Sequence, residues 1–260
     1  MTNGPLISIV IPVLNEARGL AALLDHLLQL EGRFEVVIAD GGSADGTPEL
    51  VSAHPSAPRL VRTPPGRAHQ MNAGAGQASG ETLLFLHADT RLPPDAYRSL
   101  RRALADSAVV GGNFELRFEG ADRFARLLGA WYALQRRLGV YYGDSAIWLR
   151  RATFQRLGGY RPLAIMEDYD LSRRLEGTGD TSCLPGPAVT SARRWKQLGL
   201  VRTIASWVLI RWLFVAGASP ARLARLYPHV REAGSGELCG RPASSDRHED
   251  PHVAPSEAAA

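Results

Sequence analysis

Apolar, β-branched runs of strand length alternate with helical leucine patterns in the first half of the chain. Residues 6–13 (LISIVIPV) and 34–39 (FEVVIA) are typical of buried strands, and residues 17–30 carry leucines at helical spacing. The pattern further predicts a short helix within residues 45–53 and strands at residues 59–62 and 82–86. Because such alternation is typical of βα units, we expect an α/β fold with a mostly parallel central sheet and helices on both faces.

The second half of the chain has a less regular pattern. It predicts a strand at residues 109–118, an amphipathic helix at 122–138, a strand at 141–149 and a short helix within 164–176. After residue 231 the composition changes to Gly, Ser, Pro, Glu and Ala, which cannot bury a core. We expect one folded domain over residues 1–231, with a helical segment at about 199–228, and a disordered tail over residues 232–260.

A mostly apolar segment at residues 203–218 raises the question of a membrane. Arg202 and Arg211 leave fewer uninterrupted apolar residues than the roughly 20 that a membrane span needs. At about 100° per residue these two arginines fall on opposite faces of a helix, which argues against a clean interfacial stripe. We expect a buried or groove-lining helix, with peripheral contact to a membrane as the alternative.

Charge and cysteine content exclude several classes of protein. The formal net charge is +4 and the pI is about 9.4, but the basic residues are spread along the chain, which does not favour nucleic-acid binding. The charge suits anionic small substrates. Cys183 and Cys239 are too far apart to indicate a disulfide framework or a metal knuckle. The N-terminus has no signal-like segment, so we expect a cytoplasmic protein, or one at the inner face of the membrane.

Polar motifs follow the first two predicted strands. Pro12 ends the first strand, and Asn15 either caps the following helix or contacts a ligand. Asp40 stands at the end of the second strand, where it can accept hydrogen bonds from a nucleobase or ribose, and the glycines after it allow close backbone approach. Alternatively, Ser43 or Asp45 simply caps the next helix.

Two acidic motifs follow later in the chain. Asp89 comes just after the strand at residues 82–86, where a carboxylate can hold a divalent cation against phosphate oxygens, or can be a simple turn acid. Glu167, Asp168 and Asp170 either start a solvated helix or include a general base. Because ligands of parallel sheets bind at the carboxyl ends of the strands, we expect these motifs along one rim.

In order, the segments PVLNE, ADGGSADGT, FLHADT, GDSAIWLRRATFQRLGGY and MEDYDLSRRL resemble the family 2 glycosyltransferases, which have a GT-A fold. The resemblance runs from about residue 6 to residue 194. It implies a hexosyltransferase that moves a sugar from a nucleoside diphosphate sugar to an acceptor hydroxyl, with inversion and with Mg²⁺ or Mn²⁺. The acceptor stays open between a small molecule and a lipid-linked one. The HADT spelling also resembles a bacterial subgroup associated with arsenosugar biosynthesis.

The same resemblance implies roles for the matched residues. Asp168 would be the catalytic base, Glu167 would orient it or touch the acceptor, and Asp89 would hold the metal. The implied nucleotide and donor contacts are Pro12, Asn15, Glu16, Asp40, Gly42, Ser43, Arg67, His87, Ala88, Asp144 and Arg194. One position departs from the family pattern: a histidine, His87, replaces the first acid of the usual Asp-x-Asp pair.

Three other classes are consistent with parts of the sequence. The Gly74–Gly80 stretch reads GxGxxxG and precedes a strand, unlike the fingerprint of dinucleotide-binding oxidoreductases. A sugar-nucleotide pyrophosphorylase or other nucleotidyltransferase would need a glycine-rich, basic loop where this chain has PVLNE. A non-catalytic nucleotide-sugar binding protein is opposed by the presence of Asp89 and Asp168.

Overall fold

The computed structural model describes residues 4–120, 123–191 and 200–226. The strands are β1 (Ile7–Val13), β2 (Phe34–Asp40), β3 (Arg59–Arg62), β4 (Thr82–Phe85), β5 (Thr90–Arg91), β6 (Val109–Phe118), β7 (Ile147–Arg150) and β8 (Asp180–Thr190). The helices are α1 (Ala17–Leu28), α2 (Thr47–Ala53), α3 (Arg67–Gln77), α4 (Ala96–Leu104), α5 (Arg123–Arg137), α6 (Arg151–Arg156), α7 (Glu167–Glu176), α8 (Leu200–Val215) and α9 (Pro220–Leu226). The elements predicted in the first half are confirmed to within one or two residues at each end.

The described strands form one sheet in the order β3-β2-β1-β4-β7-β6-β8-β5. β3, β2, β1 and β4 run parallel, and β6 and β8 form a second parallel pair. β7 is antiparallel to β4 and β6, and β5 is antiparallel to β8. The predicted α/β fold is confirmed, and the carboxyl ends of β1, β2 and β4 meet at one edge of the sheet.

Alternate side chains of β1 face two different cores. Ile7, Ile9 and Ile11 pack in a cluster with apolar residues of α1, α2 and α4. Val10 packs in a second cluster with residues of α3, α6 and α7. The sheet is therefore covered on both faces, as the sequence predicts.

The glycine-rich stretch after residue 73 serves helix packing. Gly74 lies in α3, and a Cβ atom on it would lie 2.4 Å from Cγ1 of Val10 in β1. Only glycine lets the helix approach the strand this closely. The stretch thus has a packing role that explains its small residues without a dinucleotide.

The segment at residues 141–149, which we predicted to be a strand, begins with a 3-10 turn. The turn covers Gly143–Ser145, and the strand β7 starts only at Ile147. Ala146 lies between them with φ of 53°, a left-handed conformation that strands do not adopt. This residue separates the turn from the strand and is the reason that the prediction was wrong at its start.

The late apolar segment forms the helix α8, as predicted. Trp207 packs against Tyr142 with ring centroids 5.4 Å apart, and Arg211 donates a hydrogen bond to Gln135 of α5. Among the described residues, no helix has the length and apolar character needed to cross a membrane. Arg194 and the predicted tail over residues 232–260 lie outside the described residues.

Candidate active site

The loops that follow β1 and β2 are joined by hydrogen bonds between side chains and backbone. Asn15 N donates to Ser43 Oγ at 2.8 Å, and Ala44 N donates to Asn15 Oδ1 at 2.9 Å. Glu16 N donates to Thr47 Oγ1 at 3.0 Å. The two polar motifs that the sequence places at neighbouring strand ends therefore form one connected structure.

Asn15 does not cap α1, which excludes one of the two roles that the sequence left open for it. Glu16 occupies the N-cap position, and the N–H of Ala17 donates to Asp45 Oδ2 at 3.0 Å. Asn15 has φ of 58°, in the left-handed region that asparagine tolerates better than most residues. The first N–H groups of α1 are thus satisfied by the neighbouring loop, which a sequence-local capping rule does not anticipate.

Asp40 ends β2 beside Val13 of β1 and is only 2% exposed. Its carboxylate accepts hydrogen bonds from Gly42 N at 3.2 Å, from Ser43 N at 3.1 Å and from Ser43 Oγ at 2.5 Å. Asp40 therefore stabilises its own loop, and its contact to a nucleobase stays a prediction. Pro12 lies inside β1, one residue before the strand ends, so it does not end the strand as we expected.

Gln70 is a buried polar residue that our sequence analysis missed. Its Nε2 donates to Val13 O at 2.7 Å and to Ala39 O at 2.9 Å, at the ends of β1 and β2. These bonds tie α3 to the strand ends and hold Arg67, one helical turn earlier, near the same rim. The signal was a glutamine among the buried positions Ala68 and Met71 of a helix.

Arg67 brings together acidic and basic side chains from distant parts of the chain. Its Nε lies 3.1 Å from Glu167 Oε1, and its Nη2 lies 3.1 Å from Asp168 Oδ2. The same Nη2 contacts Nε2 of His87, which lies 3.8 Å from Asp168 Oδ2. One guanidinium therefore bridges both predicted catalytic carboxylates and the histidine of the HADT motif.

His87 lies between charged groups of opposite sign. Its Nε2 contacts Nη2 of Arg67 and lies 3.8 Å from Oδ2 of Asp168. His87 is thus directed to Arg67 and Asp168, in a position where the family pattern has an acid.

Asp168 occupies a setting that favours uptake of a proton. Burial raises the pKa of Asp168, to about 7, against the opposing effect of Arg67, and the carboxylates of Glu167 and Asp144 add to the rise. Oδ1 of Asp168 is buried and has no hydrogen-bond partner among the described residues. Asp168 therefore combines a near-neutral pKa with one carboxylate oxygen that is free to accept a proton.

Gly143 allows the turn before β7 to lie against this cluster. A Cβ atom on Gly143 would lie 2.4 Å from Oδ2 of Asp168 and 2.4 Å from Nε2 of His87. Real Cβ atoms do not approach other atoms so closely, so a side chain here must displace both groups.

We therefore expect Gly143→Ala to destabilise the fold by about 1–3 kcal/mol and to reduce turnover. The matched control is Gly76→Ala in α3, where a Cβ would meet no atom within 4 Å. That variant should be neutral or more stable by about 0.5–1 kcal/mol. Thermal unfolding and initial rates of both variants measure the difference, and equal behaviour of the two would contradict the close packing at Gly143.

The third acid of the MEDYD motif has a structural role. Asp170 Oδ1 lies 3.0 Å from Arg161 Nη1, and its Oδ2 lies 2.8 Å from Arg174 Nη2. The structure thus separates the three acids into two that contact Arg67 and one that stabilises α7.

The remaining predicted residues occupy different settings. Asp144 accepts a hydrogen bond from the Tyr132 hydroxyl at 3.3 Å and lies near enough to Asp168 to affect its pKa. Ala88 is partly buried against the core. Asp89 is exposed and accepts a hydrogen bond from Thr90 Oγ1 at 3.4 Å.

The residues around Asp89 fit a metal that also uses substrate oxygens. Among the described residues, no group of three or more His, Cys, Asp or Glu side chains is arranged to hold a metal ion. Mg²⁺ bound to nucleotides commonly takes one or two carboxylates and completes its shell with phosphates and water. An exposed carboxylate after a strand end suits that arrangement, and the role of Asp89 as a metal ligand stays a prediction.

Backbone strain is concentrated at the site. Asn15, Ala146 and Met166 are non-glycine residues with positive φ, of 58°, 53° and 69° respectively. Ala146 follows the turn that contacts Asp168, and Met166 is the N-cap of α7, directly before Glu167. Such conformations cost roughly 1–3 kcal/mol each and cluster at functional sites. Ala146 and Met166 could not be recognised from the sequence, since neither residue type signals a left-handed conformation.

Comparison with known proteins assigns the chain to a family. The model of the glycosyl transferase family 2 matches residues 8–159, more than half of the chain. An undecaprenyl-phosphate 4-deoxy-4-formamido-L-arabinose transferase of Yersinia pestis (strain Pestoides F) is 29% identical over 166 residues, which are 57% of this chain and 49% of the relative. The protein of the same description from Yersinia pestis bv. Antiqua (strain Angola) is 34% identical over the same length. The chain spans about half the length of the curated relatives it matches.

Solved structures share the fold. The mannosyltransferase PcManGT from Pyrobaculum calidifontis, in complex with GDP-Man and Mn²⁺, is 25% identical with a TM-score of 0.56 over 73% of this chain and 57% of its own. Glucosyl-3-phosphoglycerate synthase from Mycobacterium tuberculosis is 22% identical with a TM-score of 0.57 over 82% of this chain and 79% of its own. S. aureus TarS 1-349, in complex with UDP-GlcNAc, is 16% identical with a TM-score of 0.59 over 72% of this chain and 59% of its own. The last two show the fold alone, and the family match shows that this chain belongs to the glycosyl transferase family 2.

Proposed function

We propose that this protein transfers a sugar from a nucleoside diphosphate sugar to an acceptor hydroxyl, with inversion at the anomeric carbon and with Mg²⁺ or Mn²⁺. The observation that carries the proposal is the buried carboxylate of Asp168, which has a raised pKa and an unpaired Oδ1. It contacts Arg67, which begins a helix anchored at the ends of β1 and β2. The proposed reaction uses this carboxylate as a general base.

The chemistry follows from the two different oxygens of Asp168. Oδ2 is held by Arg67, and Oδ1, which is buried and has no hydrogen-bond partner among the described residues, would take the proton of an acceptor hydroxyl that reaches it. As that proton leaves, the acceptor oxygen bonds to the anomeric carbon, and the bond from this carbon to the diphosphate breaks. A single displacement of this kind inverts the anomeric configuration. General-base assistance contributes typically about 10²–10⁴ in rate.

The donor would lie along the rim formed by the loops after β1, β2 and β4. The connected loops with Asn15, Asp40 and Ser43 would hold the nucleoside. Asp89 would hold the divalent ion, which when bound neutralises negative charge on the diphosphate. In support, solved structures of this fold contain GDP-Man with Mn²⁺ and UDP-GlcNAc.

The raised pKa of Asp168 favours a hydroxyl over a phosphate as the acceptor. A phosphate monoester, such as the undecaprenyl phosphate in the names of the curated relatives, is already largely ionised at neutral pH and needs no base. A hydroxyl must lose its proton during attack, and a carboxylate with a pKa near 7 is suited to receive it. The two acceptor classes therefore differ in how strongly turnover depends on Asp168.

The first test is a thermal-shift screen of the full chain with nucleoside diphosphates, with and without Mg²⁺ or Mn²⁺. A ligand at about 100 times its dissociation constant stabilises the native state by roughly 2.7 kcal/mol. We expect one nucleotide to stabilise the protein in a metal-dependent way, and the matching sugar donor to yield a product of inverted anomeric configuration by NMR. A folded sample that responds to no nucleotide would count against the proposal. Pyrophosphate formed from a sugar phosphate and a nucleoside triphosphate would indicate a nucleotidyltransferase instead.

We expect Asp89→Asn to weaken the metal-dependent part of nucleotide binding at least about tenfold, because a neutral amide is a poorer ligand for a hard cation. Titration of Mn²⁺ in the presence of the stabilising nucleotide measures this loss. Asp95→Asn is the matched control: Asp95 is also exposed, and it occupies the N-cap of α4, where asparagine is equally suitable. Unchanged metal dependence in Asp89→Asn would remove Asp89 from the metal site.

A further inference from the structure

We propose that the outer face of α8, with the exposed arginines of α5, α8 and α9, docks on the surface of an anionic lipid bilayer. This docking is independent of the reaction that the protein catalyses.

The outer face of α8 is apolar. Leu209, Trp212 and Val215 are 57%, 65% and 60% exposed, and Ala205 is exposed on the same side of the helix. At about 100° per residue these four positions fall within roughly a third of the helix circumference. Large apolar side chains that share one exposed helix face require an explanation, whereas single ones do not.

Arg211 does not interrupt this face. We expected from the sequence that Arg202 and Arg211, on opposite sides of the helix, would exclude an interfacial stripe. In the structure Arg211 is directed to α5, where it donates a hydrogen bond to the buried Gln135. Because its charge is accommodated between the two helices, the outer face of α8 stays apolar, and that expectation is corrected.

Rotation of α8 cannot bury the outer face, because the inner face is also apolar and is already packed. Trp207 and Phe214 contact Tyr142 and Tyr169 with ring centroids 5.4 and 6.0 Å apart, and Ile210 is buried in the same cluster. The helix is therefore apolar on two sides, and only one side has a partner within the described residues.

The charged side chains of α5, α8 and α9 are all positive. The helices α5, α8 and α9 contain four, two and two arginines and no aspartate or glutamate. Six of these arginines are exposed: Arg123, Arg126, Arg137, Arg202, Arg222 and Arg225. The whole chain has a formal charge of only +4, so the remainder of the protein is net acidic. Positive charge is thus concentrated on the helices that also expose apolar side chains.

This combination fits a bilayer better than other partners. Interfacial helices bury Leu and Trp at the headgroup boundary, while Arg side chains contact anionic lipid headgroups. A two-fold contact with a second copy would place like-charged arginines opposite each other, which is unfavourable. A nucleic acid would use the arginines but leave the apolar face exposed.

The test is flotation of the full-length protein with vesicles of phosphatidylcholine alone or mixed with phosphatidylglycerol. We expect binding to the anionic vesicles that weakens as salt increases, because surface attraction is screened. Leu209→Glu should weaken the partition at least about tenfold, because it removes apolar contact and adds a negative charge. Leu28→Glu is the matched control: Leu28 of α1 is likewise 57% exposed and should leave binding unchanged.

Thermal unfolding midpoints of both variants establish that they are folded, and light scattering without lipid reports self-association. Loss of vesicle binding in Leu209→Glu but not in Leu28→Glu supports the docking surface. The proposal is overturned if the wild-type protein binds neither vesicle type, or if both substitutions have equal effects. A dimer that Leu209→Glu dissociates, without vesicle binding, would also overturn it and assign the face to a second copy.

Discussion

Asp168→Asn is expected to lower kcat by about 10²–10⁴ and to leave the affinity for nucleoside diphosphate nearly unchanged. Asparagine keeps the shape of the side chain and an oxygen for Arg67, but it cannot accept the proton of the acceptor. Initial rates with the donor identified by thermal shift, together with nucleotide titration, separate the two effects. Turnover close to that of the wild type would exclude Asp168 as the base and would point to a phosphate acceptor.

The pH dependence provides a second readout of the same group. Only the deprotonated carboxylate can act as a base, and burial raises the pKa of Asp168 to about 7. We therefore expect wild-type turnover to fall as the pH decreases through about 7. The residual turnover of Asp168→Asn should lack this dependence.

The raised pKa also determines the sign of the effect on stability. The folded protein holds the proton of Asp168 more tightly than the unfolded chain, so the stability due to this group is full at low pH and is lost as the pH rises through about 7. The Asp168→Asn variant has no ionisable group at this position, so it does not lose this stability as the pH rises. At pH 8 the variant should therefore unfold at a higher temperature than the wild type, and the difference should shrink towards pH 4.

Asp170→Asn is the matched control on the same helix. Asp170 is buried like Asp168 but pairs with Arg161 and Arg174. Its neutralisation leaves these arginines with a weaker partner, so we expect a loss of roughly 2–5 kcal/mol in stability with kcat per folded molecule retained. Asp168→Asn should thus lower kcat and stabilise the protein at pH 8, whereas Asp170→Asn should retain kcat and destabilise it.

Arg67→Ala is expected to move the acidic limb of the pH–rate profile to higher pH by about 1–3 units. Arg67 is the cation that opposes the rise in the pKa of Asp168, and its loss leaves Glu167 and Asp168 as neighbouring like charges. Arg67→Lys keeps the charge but cannot bridge two carboxylates with a planar fork, so its shift should be smaller. pH–rate profiles of the wild type, Arg67→Lys and Arg67→Ala measure whether the acidic limb moves to higher pH in that order.

Arg161→Ala tests whether any arginine near α7 has this effect. Arg161 lies 3.0 Å from Asp170 and is more exposed than Arg67. We expect its loss to leave the position of the acidic limb unchanged. A shift as large as that of Arg67→Ala would show that the pKa of Asp168 responds to general charge and not to the contact with Arg67.

Much of the first half of the fold was predictable because its patterns are local. The alternation in residues 6–13 and the leucine spacing after Ala17 depend only on which side chains face the core. The 3-10 turn at Gly143–Ser145 was not predictable in this way, because it depends on Ala146 adopting φ of 53° and on the close contact of Gly143 with Asp168 and His87.

The sequence was sufficient to name several residues of the candidate site, but not the contacts between them. Asp40, Asp89 and the acids after Met166 follow from their positions at strand ends or helix starts. Gln70 was missed because its role depends on carbonyl groups of β1 and β2, which lie 57 and 31 residues away in sequence. The sequence left Asn15 open between a helix cap and a ligand contact, and the structure excludes the cap because the partner of the first N–H group of α1 comes from another loop.

The sequence by itself determined the alternation of strands and helices, the order of the polar motifs and their placement at one rim, because each depends on neighbouring residues and on the common direction of parallel strands. Only the tertiary structure decided that two of the three clustered acids, Glu167 and Asp168, meet Arg67, since Asp168 lies 101 positions from it in sequence. It also decided that His87 is directed to the same guanidinium and that Arg211 is directed inward from the outer face of α8. The physical reason is that pKa values, protonation states and exposed surfaces depend on the packing of distant elements, which local sequence patterns do not record.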